Sequence, residues 1–193
     1  MDELSIAVFA SGGGTNLQSL IDSCKQGAWD GSITAVISNN SGAYALERAR
    51  NENIAACHIS GVKFPERERF VGEMLRTLEN HKVNLIVLAG YMKLLPVEVV
   101  RKYRNRILNI HPALLPKYGG KGMYGMNVHK AVIESGDSIS GATVHFVDEI
   151  FDHGVILIQR TVPVLPDDDP ESLAARVLKV EHKILPAAVS MFA

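Results

Sequence analysis

Residues 83–89, Val-Asn-Leu-Ile-Val-Leu-Ala, are apolar almost throughout and stop at Gly90. A strand without polar alternation must be covered on both faces, which suits the centre of a parallel sheet rather than a surface hairpin. Parallel neighbours need crossover connections, usually helices, and the flanking sequence supplies them. An apolar run at 6–10 ends in Ser11-Gly12-Gly13-Gly14 and is followed by helical spacing over 15–25, through Leu17, Leu20, Ile21 and Cys24. The alternation continues with a strand at 33–38, a helix at 44–51, a strand at 54–59 and a charged amphipathic helix at 66–79. Beyond the central run, a helix starts near Pro96 and a strand at 106–110 stops at His111-Pro112. This order predicts an α/β fold with a doubly wound, mostly parallel sheet, a Rossmann-like N-terminal half and ligands at the carboxyl ends of the strands.

Residues 112–127 are rich in Gly, Pro and Lys and have no apolar period. A loop of that length in a compact domain is a binding loop or a lid more often than filler. Two β runs, 141–147 and 154–164, predict a hairpin or near-hairpin around Asp152-His153-Gly154. The last helix is marked by Asp169 as N-cap and Pro170 at the first helical position, and runs to about Ser190. With 193 residues, 47% of them hydrophobic, one buried core is expected. Residues 1–193 therefore read as a single domain, with a phosphate- or nucleotide-binding half at 1–105 and a catalytic half at 106–193. The start, MDELSIAVFASGGG, has two acids where a secretory leader needs basic residues, and its apolar run is short, so neither a targeting segment nor a membrane span is expected. Cys24 and Cys57 lack CxxC spacing or a paired framework, which fits a reducing, cytoplasmic setting.

Lys plus Arg number 20 against 21 for Asp plus Glu, so no overall field concentrates nucleic acid or an anionic membrane, and an anion must be caught locally. The turn Ser11-Gly12-Gly13-Gly14-Thr15-Asn16 offers free amides at a helix start, with Thr15 and Asn16 as further donors. Leu17 occupies the third glycine position of the dinucleotide fingerprint and no Gly-Lys-Ser/Thr is present, which leaves a site for a single phosphate or a turn that merely packs strand on helix. Asn109 and His111, two apart at a strand end, project to the same face. Pro112 holds His111 extended. An amide donor beside an imidazole suits acyl transfer, although a histidine bonded within a turn would leave the same trace. Asp152, in Asp152-His153-Gly154, could raise the pKa of a nearby imidazole, or could simply support its own turn with Gly154 at positive φ. His145 reads as a buried histidine that could orient the site. The seven histidines have no metal-ligand spacing, and Asp167-Asp168-Asp169 reads as a turn and helix cap, so no metal is expected.

Taken together, SGGGTNLQ, LNIHPALLPKYGG and GATVHFVDEIFDHG resemble the folate-dependent formyltransferases, in order and over nearly the whole chain. The resemblance implies a seven-stranded, mostly parallel sheet with a folate cleft between its two halves. It implies transfer of the formyl group of 10-formyltetrahydrofolate to the amine of glycinamide ribonucleotide, in purine synthesis. Asn109, His111 and Asp152 match the family's catalytic trio. Protonated His111 and Asn109 would stabilise the tetrahedral oxyanion, while Asp152 would raise the histidine pKa and help move a proton to the folate N10. Gly14, Thr15 and Asn16 match the phosphate-holding segment, and Glu181 an acid that binds ribose hydroxyls. Met92, Lys93, Leu94 and Leu95 match the backbone that hydrogen-bonds the pterin, with Ile107, Asn109 and Val147 at its pocket and Arg67 aligned with a folate-contacting arginine. Phe151, Ala113 and Lys93 depart from the residues frequent at their positions.

Within such a family the acceptor could also be an aminoacyl-tRNA, an amino sugar or water. The tRNA enzymes would carry an extra C-terminal domain and a basic surface, and the hydrolases an N-terminal regulatory domain, which this sequence does not include. The phosphate turn favours a small phosphorylated acceptor, with no nucleic-acid or membrane partner and a monomer or homodimer as the working unit. A nucleotide-binding module without catalysis would need the glycine turn but neither Asn109 nor His111.

Overall fold

The computed structural model describes residues 3–193. Met1 and Asp2, the latter one of the acids counted against a leader, lie outside the described residues. In chain order the elements are β1 (Leu4–Phe9), α1 (Thr15–Lys25), β2 (Gly31–Ser38), α2 (Tyr44–Asn51), β3 (Ala55–His58), α3 (Arg67–Asn80), β4 (Leu85–Leu88), α4 (Val97–Lys102), β5 (Ile107–His111), α5 (Met126–Ser135), β6 (Ile139–Phe146), β7 (Ile156–Pro163) and α6 (Pro170–Ser190). Among the described residues the strands form one seven-stranded sheet in the order β3-β2-β1-β4-β5-β6-β7. The first five are parallel, whereas β6 runs antiparallel to β5 and β7 antiparallel to β6.

The alternation of side chains along β1, β4 and β5 divides the core in two. Ile6, Val8, Leu85, Val87, Leu108 and Ile110 face one layer, against Leu17 and Leu20 of α1, Leu46 of α2 and Leu173 and Val177 of α6. Ala7, Phe9, Ile86, Leu88 and Ile107 face the other, against Met74 and Leu78 of α3 and Val99 and Val100 of α4. Each fully buried aliphatic side chain contributes roughly 1.5–3 kcal/mol, so a strand dry on both faces is held far more firmly than a half-exposed one. The central run 83–89 predicts this, although only Leu85–Leu88 pairs as strand.

α5 has no counterpart among the elements expected from the sequence. Val128 and Val132 stand four apart on its buried face and Gly136 closes it at φ 71°, a stop signal that is present but short. The β6–β7 connection is also longer than a tight hairpin: His145 pairs with Ile156, and the residues between form a loop. Gly154 does not supply positive φ there. Asp152 does, at 52°, while a Cβ on Gly154 would sit 1.8 Å from the Phe146 carbonyl oxygen. Close backbone approach, rather than handedness, requires that glycine.

At α6 the Asp169 carboxylate accepts the Ser172 amide at 2.7 Å and the Ser172 hydroxyl lies 3.1 Å from the Asp169 amide, a reciprocal cap. Asp169→Ala should cost ~1 kcal/mol and lower Tm by about 2–4 °C, measured by calorimetry. An unchanged Tm would mean that the cap is not needed once α6 is packed.

Candidate active site

β1, β4 and β5 end together, and the segments that leave them enclose one cavity of about 880 Å³. Its volume lies towards the upper end of the range of small-ligand sites. The first wall is the turn after β1. Gly14 is the N-cap of α1 in the left-handed region at φ 69°, and a Cβ there would also overlap Ala45 at 2.8 Å. The amides of Gly13, Gly14, Thr15 and Asn16 donate to no group among the described residues, so a row of N–H dipoles opens on the cavity. Arg48 of α2 braces the turn from behind, its Nε donating to the Gly13 carbonyl at 2.8 Å.

Asn16 commits one of its two side-chain N–H groups within the protein. Its Nδ2 donates to Glu181 Oε2 at 2.6 Å, leaving Oδ1 buried without a partner among the described residues. Burial pushes the Glu181 carboxyl above the ordinary range, against the opposing pull of the Asn16 donor. Both residues line the cavity, so together they present an acceptor-rich patch suited to hydroxyl donors.

The second wall follows β4. The Ser11 hydroxyl accepts the Met92 amide at 2.8 Å and donates to Asn39 Oδ1, so the Met92 N–H is already used. The peptide groups of Lys93, Leu94 and Leu95 make no hydrogen bond among the described residues and remain available to a planar polar ligand. Met92, Leu94, Tyr124, Ile150 and Phe151 line the same cavity while exposed, an apolar surface of the kind that covers a ring system.

Between these walls stands β5. Asn109 and His111 lie on one face, and His145 of β6 is the cross-strand partner of Asn109. His145 Nδ1 faces the Phe146 carbonyl at 2.8 Å and so carries the proton, leaving Nε2 to accept from Asn109 Nδ2 at 3.0 Å. The second Asn109 N–H makes only a loose 3.4 Å contact with Asp152 Oδ1. His111 Nε2 lies 2.8 Å from the Tyr118 carbonyl and must donate to it. Its Nδ1 is then the free nitrogen, 3.6 Å from Asp152 Oδ1. Asp152 Oδ2 accepts the Gly120 amide at 2.9 Å, so the 147–155 loop is anchored over the end of β5.

The electrostatics of His111 combine opposing effects. Burial pushes the His111 pKa down and outweighs the upward pull of Asp152 and of the Tyr118 carbonyl, with His145 adding a smaller downward effect. Burial thus disfavours the imidazolium in the unliganded pocket. Burial alone would raise the Asp152 carboxyl, but the pull of the His145 and His111 imidazoles when they carry a second proton, together with the Gly120 amide, outweighs it and holds the group below the usual carboxylate value.

Gly14, Thr15, Asn16, Glu181, Met92, Lys93, Leu94, Leu95, Asn109, His111, Val147 and Asp152 all line the one cavity. Two expected residues do not. Ile107 is two residues before Asn109 on the same face, one pleat deeper, and is buried among Leu95, Val99 and Val100. Arg67 lies on the exposed start of α3, paired with Glu98 at 2.7 Å, outside the lining. Conversely, His129 of α5 lines the cavity, buried and with Nδ1 unpartnered among the described residues. The sequence does not announce its helix, so nothing in it points His129 inward. Among the described residues no group of three or more His, Cys, Asp or Glu side chains is placed to hold a metal ion, and no helix is long and apolar enough to cross a membrane.

Comparison with known proteins agrees with this architecture. The family described as Formyl transferase matches residues 4–189. The chain is 47% identical to a chloroplastic phosphoribosylglycinamide formyltransferase of Vigna unguiculata, over 93% of this chain and 57% of that protein, so it spans less than two thirds of that relative's length. It is 40% identical to the phosphoribosylglycinamide formyltransferase of Escherichia coli, over 98% of this chain and 87% of the relative. The crystal structure of glycinamide ribonucleotide transformylase 1 from Symbiobacterium toebii superposes with a TM-score of 0.91 at 40% identity, covering 98% of this chain and 87% of that one.

A histidine whose folded pKa lies below its unfolded value favours the fold while neutral, so its contribution is complete above ~6.5 and is lost as pH falls towards the folded value. His111, followed by NMR titration, should have its midpoint below ~6.5. Asp152→Asn removes the upward pull and should move that midpoint lower still; an upward move would contradict the arrangement of the two groups.

Proposed function

The chain belongs to the formyl transferase family, and we propose that it transfers the formyl group of 10-formyltetrahydrofolate to the amine of glycinamide ribonucleotide, a step of purine synthesis. One observation carries the reading: a row of unpaired amides suited to a phosphate monoester and an Asn–His–Asp group suited to acyl transfer open on the same cavity. The names of the relatives accord with it.

In this reading residues 13–16 hold the ribonucleotide phosphate, while Glu181 and the Asn16 oxygen accept from the ribose hydroxyls. The free peptide groups of Lys93–Leu95 receive the pterin edge, with Val147 and Leu94 against its rings and Met92 contributing side-chain cover rather than its amide. Ile107 supports that pocket from beneath, and Arg67 would reach the folate only by leaving Glu98. Residues 1–105 supply the phosphate half and 106–193 the reacting groups. The half-buried, unpaired Cys24 and Cys57 suit a cytoplasmic setting.

His111 starts neutral, with the Nδ1 lone pair towards the cavity. As the amine nitrogen bonds to the formyl carbon and the carbonyl electron pair moves to oxygen, Nδ1 accepts the ammonium proton, directly or through water. The imidazolium so formed is balanced by the Asp152 carboxylate. It joins the loosely held Asn109 N–H in stabilising the oxyanion. His111 then returns the proton to N10 as the bond between the formyl carbon and N10 breaks, giving tetrahydrofolate and formylglycinamide ribonucleotide. Thus the low pKa of His111 in the empty pocket suits a proton acceptor, and Asp152 acts chiefly on the charged intermediate.

The test is release of tetrahydrofolate from 10-formyltetrahydrofolate with glycinamide ribonucleotide present or omitted. Turnover should require the ribonucleotide and fall at least ~100-fold in His111→Ala. Turnover without an acceptor would support the hydrolase reading, and none under either condition would return the chain to a binding role.

A further inference from the structure

Tyr118 is an aromatic residue at φ 58°, a left-handed conformation that side-chain-bearing residues adopt only when their surroundings impose it. What imposes it lies outside the cavity. The phenol donates to Asp137 Oδ2 at 2.6 Å, Ser135 Oγ sits 2.5 Å from the phenol oxygen, and the Lys117 ammonium pairs with the same Asp137 carboxylate. None of these four residues lines the cavity.

The backbone of the same residue points the other way. The Tyr118 carbonyl receives His111 Nε2–H at 2.8 Å, and two residues later the Gly120 amide donates to Asp152 Oδ2 at 2.9 Å. The short segment 118–120 therefore bridges both members of the imidazole–carboxylate pair. Beyond it, 119–125 contains Gly119, Gly120, Gly122 and Gly125, which provide little side-chain anchorage. Besides the packing of the Tyr118 ring against the core, the side-chain attachment of this stretch is the phenol, bonded to Asp137 at the α5–β6 junction.

We propose that Asp137 and Tyr118 form a clamp that sets the protonation geometry of His111. By holding the Tyr118 carbonyl against Nε2, the clamp selects the Nε2–H tautomer and so leaves the basic Nδ1 lone pair on the side of Asp152 and the cavity. A carbonyl accepts hydrogen bonds and never donates them, so a neutral imidazole facing it has only one acceptable tautomer. Were the carbonyl to swing away, both tautomers would be populated and the proton-accepting nitrogen would face the cavity only part of the time. Tyr118 and Asp137 are positioning residues that touch no substrate, and their importance for turnover rests on the formyl-transfer reading.

The experiment compares wild type, Tyr118→Phe, Asp137→Ala and Asp137→Asn by two readouts. The first is the ¹⁵N spectrum of histidine-labelled protein without substrates, with the His111 signals assigned by their absence in His111→Gln. The second is kcat and KM for formyl transfer. Tyr118→Phe and Asp137→Ala should convert the His111 signals from the pure Nε2–H pattern to a mixture and lower kcat ~10- to 100-fold, with KM changing less than about threefold. Asp137→Asn, which keeps an acceptor oxygen for the phenol, should retain the wild-type pattern. An unchanged tautomer in both damaging variants overturns the clamp, whatever happens to kcat, and so does a mixed tautomer with wild-type kcat. If wild type transfers no formyl group, the functional reading fails by itself, and the spectra alone decide the clamp.

Discussion

Parallel strands that stop at one level leave their following peptide groups with no sheet partner, and the site of this protein is built from that constraint. After β1 the unpaired groups are amides, because a glycine turn leads into a helix start. After β4 they are both amides and carbonyls, because residues 93–95 run without regular structure before Pro96. After β5 the chain meets Pro112 and cannot enter a helix at once, so Asn109 and His111 remain at an open strand end. A backbone polar group shut away from water without a partner costs free energy, so these three edges are stable only when wet or bound. The same sheet that hides its faces under helices thus exposes a row of chemically different groups along one edge.

The antiparallel β6 adds a second imidazole and a carboxylate to that edge. It brings His145 opposite Asn109 and leads into the loop that carries Asp152 back over His111. The consequence is a pocket in which ionisable groups are buried yet not paired as ions in the empty state. Glu181 is pushed up, His111 is pushed down, and Asp152 stays ionised because amide and imidazole neighbours offset its desolvation. A pocket poised this way gains most when charge develops on a bound intermediate rather than on the protein beforehand.

Much of the fold was legible from residue spacing. The helix 15–25, the helix 44–51 and the Asp169 cap coincide with the structure because each has a strong local cause: apolar spacing at Leu17, Leu20 and Ile21, apolar spacing at Ala45, Leu46 and Ala49, and a capping side chain. α5 was not legible, since ten residues with two buried valines follow a glycine-rich loop that masks their period. Arg67 and Ile107 stand apart from the cavity lining for a different reason. Motif alignment assigns a residue to a site by its neighbours in the chain, whereas one pleat of depth removes Ile107 from the cavity and an ion pair with Glu98 holds Arg67 on the surface.

The chain alone determined the parallel α/β architecture and the glycine turn after β1, because strand burial and glycine permissiveness act over a few neighbouring positions, whereas the grouping of Asn109, His111 and Asp152 was implied by the family resemblance and not by local spacing. Only the tertiary structure decided which nitrogen of His111 is free, that its pKa lies below the ordinary value, that Asn16 spends its amide on Glu181, and that Tyr118 reaches past the site to Asp137. Those properties depend on which groups meet across many residues of chain and on how much water is left between them. No local pattern of side chains encodes either quantity.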